Sequence, residues 1–187
     1  MSQLYNIAIL GVSGATGEAL LDVLKERKFP VGELYLLAAE PNDEKIFRFN
    51  GKSFQVQRVD EFDWSRVNIA FFVEGFESSE RWAPIASAEG VVVIDSSAKF
   101  RYDYDVPLVV PEVNPTAIGE FRNRNIIASP NSATIQVAVA LKPIYDAVGI
   151  DRVNVTTYHS VSEAGKTGID ELAGQTARLL NGVPADP

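Results

Sequence analysis

The sequence predicts an α/β fold in which a doubly wound parallel sheet is followed by the start of a second α/β domain. Three observations predict it. Short apolar runs alternate with amphipathic stretches of helix length. The runs are continuously apolar, as in strands that are covered on both faces. A glycine cluster follows the first run and opens the first helical stretch, where a strand-to-helix turn is expected.

The first repeat of the pattern lies at the start of the chain. Residues 5–10 (YNIAIL) are predicted to form a strand, and residues 18–27 a helix that Pro30 and Gly32 end. Residues 33–39 (ELYLLAA) then form a second buried strand. Together they make a βαβ unit of the length that a right-handed crossover requires.

The second repeat follows the same order. Residues 68–73 (NIAFFV) are predicted to form a strand, residues 79–88 a helix distorted by Pro84, and residues 91–95 (VVVID) another strand. A further strand is expected to join the same parallel sheet at residues 125–128 (NIIA).

Two connections depart from the repeat. Residues 47–59, divided by Asn50 and Gly51, predict a small hairpin between the second strand and the later parallel strands. Residues 96–120 are punctuated by proline and are expected to cross between substructures, with a short extended piece at residues 108–110.

The last third of the chain predicts two helices and a strand. The first helix covers residues 133–147, with Asn131 or Ser132 as its N-cap and Pro143 bending or shortening it. The strand covers residues 152–158. The second helix covers residues 168–180 and is stopped by the Asn-Gly pair that follows it.

The domain organisation follows from these elements. A strand and a helix cannot make an independent core, so we expect the second domain to be incomplete and the sequence to be the N-terminal part of a longer protein. The predicted boundaries are residues 1–130 for the first domain and residues 131–187 for the incomplete second one.

Composition narrows the classes of function. The 187 residues carry 17 Lys and Arg against 25 Asp and Glu, a net charge of −8, which disfavours a nucleic-acid partner. The absence of cysteine excludes disulfides, thiolate metal sites and covalent catalysis by a thiolate. With a single histidine, His159, we expect no metal. No membrane span or secretory signal is apparent, so we expect a cytoplasmic protein.

The glycine cluster is the first candidate binding site. Its spacing is G-x-x-G-x-x-G, a variant of the dinucleotide fingerprint, and glycines at a strand-to-helix turn let a pyrophosphate approach the helix N-terminus. The alternative is that the glycines serve only close packing of helix on strand. The candidate cofactor-binding residues of this loop are Gly11, Ser13, Gly14, Ala15, Thr16 and Gly17.

Glu40 is the second candidate. It lies 23 positions after Gly17, near where a carboxylate commonly binds the ribose 2′-hydroxyl, and it would repel a 2′-phosphate. Residues 41–43 supply no cation, and Lys45 is the nearest positive charge. We therefore expect NAD to be favoured over NADP, with no bound cofactor as the alternative.

Five segments together resemble the aspartate-semialdehyde dehydrogenase family. They are residues 11–17 (GVSGATG), 95–101 (DSSAKFR), 106–114 (VPLVVPEVN), 129–134 (SPNSAT) and 158–165 (YHSVSEAG). The resemblance implies an N-terminal Rossmann-type domain that binds NADP and a second α/β domain through which the protein forms a homodimer. It also implies the reductive dephosphorylation of aspartyl phosphate to the semialdehyde.

The position of the family's nucleophilic cysteine is occupied by Ser132. In the family this cysteine lies at a helix start, where the macrodipole lowers the pKa of the thiol. A serine hydroxyl is a far weaker acid, and the intermediate would be an ester rather than a thioester. The resemblance therefore predicts that the family reaction is severely impaired here.

Other family positions also differ. His159 replaces a glutamine, Glu163 replaces a glycine, and residues 39–44 lack the serine and arginine of the family's 2′-phosphate loop. Arg101, the family's anion-binding arginine, and Asn131 survive. In these departures the chain is most similar to the cysteine-lacking, Usg-type paralogues of the family.

Three interpretations stay open at this point. In the first, the protein keeps a dinucleotide or anion site and has lost the dehydrogenase reaction. In the second, it is an NAD-dependent oxidoreductase on another small aldehyde or acyl substrate. In the third, Ser132 and His159 act as nucleophile and base of a hydrolase or acyltransferase. Plainer roles are that Ser132 caps its helix and that Arg101 forms an ion pair with Asp103 or Asp105.

Overall fold

A mostly parallel sheet forms the centre of the first of two compact units, Met1–Ile150 and Asp151–Pro187. The fold comes from a computed structural model that describes residues 3–41 and 45–185. Over the described residues the sheet has seven strands, all in this first unit: β1 (Tyr5–Leu10), β2 (Val31–Ala38), β3 (Ile46–Phe49), β4 (Lys52–Arg58), β5 (Ile69–Phe72), β6 (Val92–Asp95) and β7 (Ile126–Ala128). The predicted α/β fold class is confirmed.

Helices of the first unit cover both faces of the sheet. The covering helices are α1 (Ala15–Glu26) on one face and α2 (Phe76–Ala88) on the other, and the unit also contains α3 (Ser132–Val148), which has no buried residue among those described. Leu21 of α1 packs in a core that contains Ile7 and Ile9 of β1, whereas Ala83 of α2 packs in a core that contains Ala8. Successive β1 side chains point to opposite faces, and both are buried, so the sheet is doubly wound.

The strand order places the turn after β1 at a reversal point. The order is β3-β4-β2-β1-β5-β6-β7, and every pairing is parallel except that of β3 with β4. After β1 the chain forms β2 on one side of β1, and it later returns to form β5 on the other side, so the strand order reverses at β1. In open α/β sheets, ligands bind outside the carboxyl ends of the strands at such a point.

The predicted hairpin is confirmed and belongs to the main sheet. β3 and β4 pair with Phe49 opposite Lys52, and Asn50 and Gly51 form the turn with φ of 49° and 80°. Positive φ at both residues suits an Asn-Gly turn, whose twist matches that of the strands. β4 then pairs in parallel with β2 and extends the sheet by two strands.

Several local predictions were wrong. α1 begins at Ala15 rather than residue 18, because the end of the glycine loop already forms its first turn. Helix α3 continues through Pro143 to Val148, so this proline does not shorten it, whereas the distortion expected at Pro84 in α2 and the bend expected at Pro143 stay predictions.

The prediction that the proline-rich segment crosses between substructures was also wrong. Residues 96–120 remain in the first unit, where Leu108 forms a parallel bridge with Ala128 of β7. A 3-10 helix that the sequence did not predict, Pro115–Asn123, then leads back into β7. The segment therefore runs beside the sheet instead of crossing to another substructure.

The second unit holds a stretch without helix or strand (residues 151–160), a 3-10 turn (Val161–Ala164) and helix α4 (Gly165–Leu180). The Asn-Gly stop signal is confirmed, with φ of 73° at Gly182. The strand predicted over residues 152–158 is absent from the described structure. No described strand pairs with this stretch, and alternation alone cannot satisfy its backbone groups. Val153 and Val155 are exposed. The boundary after residue 130 stays a prediction.

Candidate functional site

The glycine loop connects the carboxyl end of β1 to the first turn of α1. The Gly11 N–H donates to the Leu37 carbonyl of the neighbouring strand β2, and the Gly14 N–H donates back to the Gly11 carbonyl. The Glu18 N–H donates to Gly14, which is the N-cap of the helix. The loop therefore lies at the carboxyl edge of the sheet, at the reversal point of the strand order.

The glycines of this loop differ in what the protein itself requires. A Cβ on Gly11, whose φ is +96°, would lie 2.5 Å from the backbone nitrogen of Glu74. A Cβ on Gly17 would lie 2.5 Å from the Cα of Val12. By contrast, Gly14 has an extended φ of −82°, and an added Cβ would meet only the Gly11 carbonyl, at 3.6 Å. Packing requires a glycine at positions 11 and 17, whereas Gly14 is the N-cap of α1, where serine, threonine, asparagine and aspartate are also favoured, so neither packing nor φ requires a glycine there.

The first turn of α1 presents unpaired donors. No hydrogen bond within the described residues uses the N–H groups of Ala15, Thr16 and Gly17, and Gly14 caps the helix without a side chain. Ser13, Ala15 and Thr16 are exposed. The positive end of the helix dipole adds to these donors, so the loop can accept a phosphate group.

A lysine lies beside the loop. The Lys45 ammonium is 2.6 Å from a carboxylate oxygen of Glu18 and donates to the Ser13 carbonyl at 3.4 Å. It also lies 4.9 Å from the centroid of the Phe47 ring. The sequence identified Lys45 as the nearest positive charge, but it did not indicate that Glu18, in the first turn of α1, neutralises this charge.

Glu40 lies near a cation that the sequence did not identify. It is exposed, two residues beyond the end of β2, whose Ala38 stands opposite Arg58 of β4. The pKa of Arg58 is raised, chiefly by its hydrogen bonds to Asp60 and to a smaller extent by the charge of Glu40. Only the strand register could have revealed this proximity. Within the loop expected to lack cations, residues 42–44 lie outside the described structure.

Arg101 bridges the carboxyl ends of two strands. Its Nε donates to the Ser129 carbonyl at 3.0 Å, and its Nη2 donates to the Ser96 carbonyl at 2.7 Å. Ser96 directly follows β6 and Ser129 directly follows β7. The half-buried guanidinium is thereby held close to the chain that leads into α3, with its Nη1 unpaired within the described residues.

The ion pair suggested for Arg101 was wrong. Asp103 and Asp105 instead pair with Arg124, at 2.9 and 3.3 Å from its Nη1. Arg124 follows the 3-10 helix that the sequence did not predict, so nothing in the pattern placed it beside these carboxylates. Arg101 therefore donates only to the carbonyls of Ser96 and Ser129 among the described residues.

Asp95 organises the loop that carries Arg101. Its carboxylate is fully buried and accepts hydrogen bonds from the Ser79 hydroxyl at 2.6 Å and the Ser97 hydroxyl at 2.8 Å. The Ser97 hydroxyl in turn accepts from the Lys99 N–H. Asp95 also accepts a hydrogen bond from the Ser97 N–H at 3.2 Å, so it caps the turn that follows β6.

Asn131, not Ser132, caps α3. The Asn131 side chain accepts a hydrogen bond from the Ala133 N–H at 2.9 Å, and Ser132 is the first residue of the helix. The plain interpretation of Ser132 as the cap is therefore wrong. Ser132 is exposed, and its hydroxyl has no hydrogen-bond partner within the described residues. This hydroxyl stands at the positive end of a 17-residue helix.

His159 belongs to the second unit, whereas Ser132 belongs to the first. Within the second unit, His159 Nδ1 lies 3.5 Å from Oε2 of Glu163, four residues later. The sequence singled out both residues as departures from the family, but it did not predict that they would pair.

The described part of the chain contains neither a metal cluster nor a membrane-spanning helix. Over residues 3–41 and 45–185, no group of three or more His, Asp and Glu side chains could hold a metal ion. No helix in this part of the chain has the length and hydropathy needed to cross a bilayer.

Two family models match the chain. One, described as the NAD binding domain of semialdehyde dehydrogenase, covers residues 6–121. The other, described as the dimerisation domain of semialdehyde dehydrogenase, covers residues 141–187. A dinucleotide-binding domain followed by the start of a dimerisation domain is the organisation that the sequence predicted.

Individual relatives agree with these matches. The chain is 69% identical over its full length to aspartate-semialdehyde dehydrogenase 2 of Vibrio cholerae serotype O1, of which it covers 55%. It superposes with a TM-score of 0.94, at 68% identity, on the crystal structure of aspartate semialdehyde dehydrogenase II of Vibrio cholerae complexed with ASA. All of this chain and 55% of that one are covered.

A more distant enzyme shares only the fold. The aspartate semialdehyde dehydrogenase of Candida albicans, solved with NADP, is 20% identical with a TM-score of 0.67, over 79% of this chain and 48% of that one. The chain thus spans about half the length of the relatives it matches. Because the two family models match it in order and the first covers more than half of its residues, the chain belongs to the semialdehyde dehydrogenase family, in which the relatives named above are aspartate-semialdehyde dehydrogenases.

Proposed function

We propose that this chain is the cofactor-binding part of a homodimeric protein that keeps a dinucleotide site and has lost the dehydrogenase reaction of its family. The homodimer is proposed from the match to the family's dimerisation domain. The loss of the reaction makes the protein a cysteine-lacking, Usg-type member of the family.

Retention of the dinucleotide site rests on Gly14. A glycine that served only packing would be needed for its φ or for close contact, and Gly14 is needed for neither. In a dinucleotide site, a glycine at this place lets the pyrophosphate approach the backbone. The unpaired N–H groups of Ala15 and Thr16 supply the donors that such a group requires.

The preference for NAD over NADP rests on the charges around Glu40. The Arg58 guanidinium already forms two hydrogen bonds to the Asp60 carboxylate, and the Lys45 ammonium is paired with Glu18. The cation near Glu40 and the lysine beside the glycine loop are therefore both compensated, and Glu40 adds a negative charge where the 2′-phosphate of NADP would have to lie.

The loss of the reaction rests on Ser132 at the position of the family's cysteine. Its exposed hydroxyl stands at the N-terminus of α3, where the dipole lowers the pKa of a thiol into a useful range. The same dipole cannot bring an aliphatic hydroxyl near neutrality, and no base contacts Ser132 within the described residues of the first unit.

Calorimetric titration of the purified protein with NAD and with NADP tests the binding part of the proposal. We expect NAD to bind more tightly than NADP, and the replacement Gly14→Ala to weaken the binding of both. Binding that is unaffected by Gly14→Ala would place the ligand elsewhere, and no binding of either dinucleotide would contradict the proposal.

Two alternatives remain as second choices. Oxidation of another small aldehyde or acyl substrate with NAD would use the same glycine loop, and turnover in a substrate panel would reveal it. Hydrolysis or acyl transfer by Ser132, with His159 as base, stays a hypothesis from the sequence, because the contact between His159 and Glu163 lies wholly within the second unit. Labelling of Ser132 by a fluorophosphonate, abolished by His159→Ala, would support it, and an unlabelled protein would dismiss it.

A further inference from the structure

Glu74 lies over the start of the glycine loop. It follows β5 by two residues, and its backbone packs so closely on Gly11 that a Cβ there would come within 2.5 Å of the Glu74 nitrogen and 2.6 Å of its Cα. The loop after β5 and the loop after β1 are therefore in direct contact at the carboxyl edge of the sheet.

The Glu74 side chain extends from one side of β1 to the other. Its Oε1 accepts a hydrogen bond from the Ala39 N–H at 3.3 Å, and its Oε2 accepts one from the Ser78 hydroxyl. Ala39 follows β2, and β1 lies between β2 and β5 in the sheet. A side chain that joins these two strand ends must cross the carboxyl end of β1, where the glycine loop begins.

This crossing places a carboxylate on the path of the proposed ligand. In a doubly wound sheet, a dinucleotide lies across the carboxyl ends of the strands, with its pyrophosphate at the loop after β1. The inference rests on the proposed function, since it concerns the same site. We propose that Glu74 is a built-in competitor, whose negative charge opposes dinucleotide binding and whose contact with Ala39 must open when the ligand enters.

Charge, rather than shape, is the basis of the competition. Glu74 is exposed and ends on one backbone N–H and one serine hydroxyl, with no cation in contact among the described residues. A glutamine at this position would keep the size of the side chain and an acceptor for the Ala39 N–H. Only the charge would be lost, and ligands with more negative charge should benefit more.

The matched control is Glu77. Like Glu74 it is an exposed glutamate, but it lies in the first turn of α2 and forms no hydrogen bond or ion pair with the glycine loop or β2 among the described residues. The variants Glu74→Gln and Glu77→Gln change the net charge of the protein equally. A difference between them therefore reports the position of the charge rather than its amount.

The experiment is calorimetric titration with NAD and NADP at low and at high salt, with thermal melting to verify folding. We expect Glu74→Gln to tighten NAD binding about tenfold at low salt, with a larger gain for NADP and a smaller one at high salt. Glu77→Gln should stay within about twofold of the parent. Unchanged or weaker binding by Glu74→Gln would overturn the inference.

Gly14→Ala, made in the parent and in the Glu74→Gln background, separates the two proposals. If NAD binding by the parent depends on Gly14 but Glu74→Gln leaves the affinity unchanged, the proposed dinucleotide site is supported and the competitor role of Glu74 is contradicted. If no variant binds a dinucleotide, or if binding by Glu74→Gln does not depend on Gly14, both are contradicted. Binding that appears only in Glu74→Gln and disappears with Gly14→Ala would support the competitor role of Glu74 and contradict the proposal that the parent protein keeps a working dinucleotide site.

Discussion

The replacements Gly14→Ala and Gly17→Ala should separate the ligand role of the glycine loop from its packing role. The two glycines lie in the same loop, three residues apart, and each replacement adds one methyl group. We expect Gly14→Ala to weaken dinucleotide binding with little change in stability, and Gly17→Ala to destabilise the fold.

The magnitudes follow from the space around each Cα. At Gly17 the new methyl carbon would lie 2.5 Å from the Cα of Val12 and 2.6 Å from the Gly11 carbonyl oxygen, so backbone must move. Overpacking of this kind costs about 1–3 kcal/mol. At Gly14 the nearest atom is 3.6 Å away, and the loss of a favourable N-cap residue is offset by a less flexible unfolded chain. The net change at Gly14 should stay within about 0.5 kcal/mol.

The assay combines chemical denaturation with calorimetric titration of NAD for the parent and both variants. A methyl group between the helix N-terminus and a pyrophosphate should lower the affinity about tenfold or more, which is about 1.4 kcal/mol. The reasoning would be refuted if Gly14→Ala lowered stability as much as Gly17→Ala, or if it left the affinity for NAD unchanged.

Two further predictions concern the residues around α3. Asn131→Ala should lower the free energy of unfolding by about 1 kcal/mol, because it removes the side chain that caps α3. Ser132→Ala should change it by less than about 0.5 kcal/mol. Chemical denaturation of both variants checks this, and a larger loss for Ser132→Ala would mean that Ser132 is the cap. Arg101→Ala should cost about 1–2 kcal/mol in the same measurement, since the carbonyls of Ser96 and Ser129 lose a charged donor at a half-buried place. A cost below about 0.5 kcal/mol would show that Arg101 does not hold the ends of β6 and β7 together.

The parallel sheet could be predicted because its strands are marked by local patterns. The run at residues 5–10 coincides with β1, and the Asn50-Gly51 pair located the hairpin turn, since each signal depends only on neighbouring residues. Residues 152–158 also show a local strand pattern, the alternation of apolar and polar residues, and yet they form no strand. A strand also needs a partner for its hydrogen bonds, and alternation does not reveal whether one exists.

The site was predictable only in part, for the same reason. The spacing of Gly11, Gly14 and Gly17 identified the loop, but the different needs of the three glycines depend on atoms that lie far away in sequence. Glu74 is an example, since it reaches Gly11 only through the pairing of β1 with β5. Arg58 likewise approaches Glu40 through the pairing of β2 with β4. The pairing register of the strands brings these charges to the site, and no local sequence motif reveals that register.

The most direct test of the central claim is the turnover of the purified protein with aspartate semialdehyde, phosphate and either nicotinamide dinucleotide. With a serine at the nucleophile position, we expect no turnover approaching the roughly 1–1,000 per second of ordinary enzymes. The variant Ser132→Cys should show a higher rate, because the helix N-terminus can ionise a thiol. Turnover of the parent protein at an ordinary enzymatic rate would contradict the claim that the family reaction has been lost.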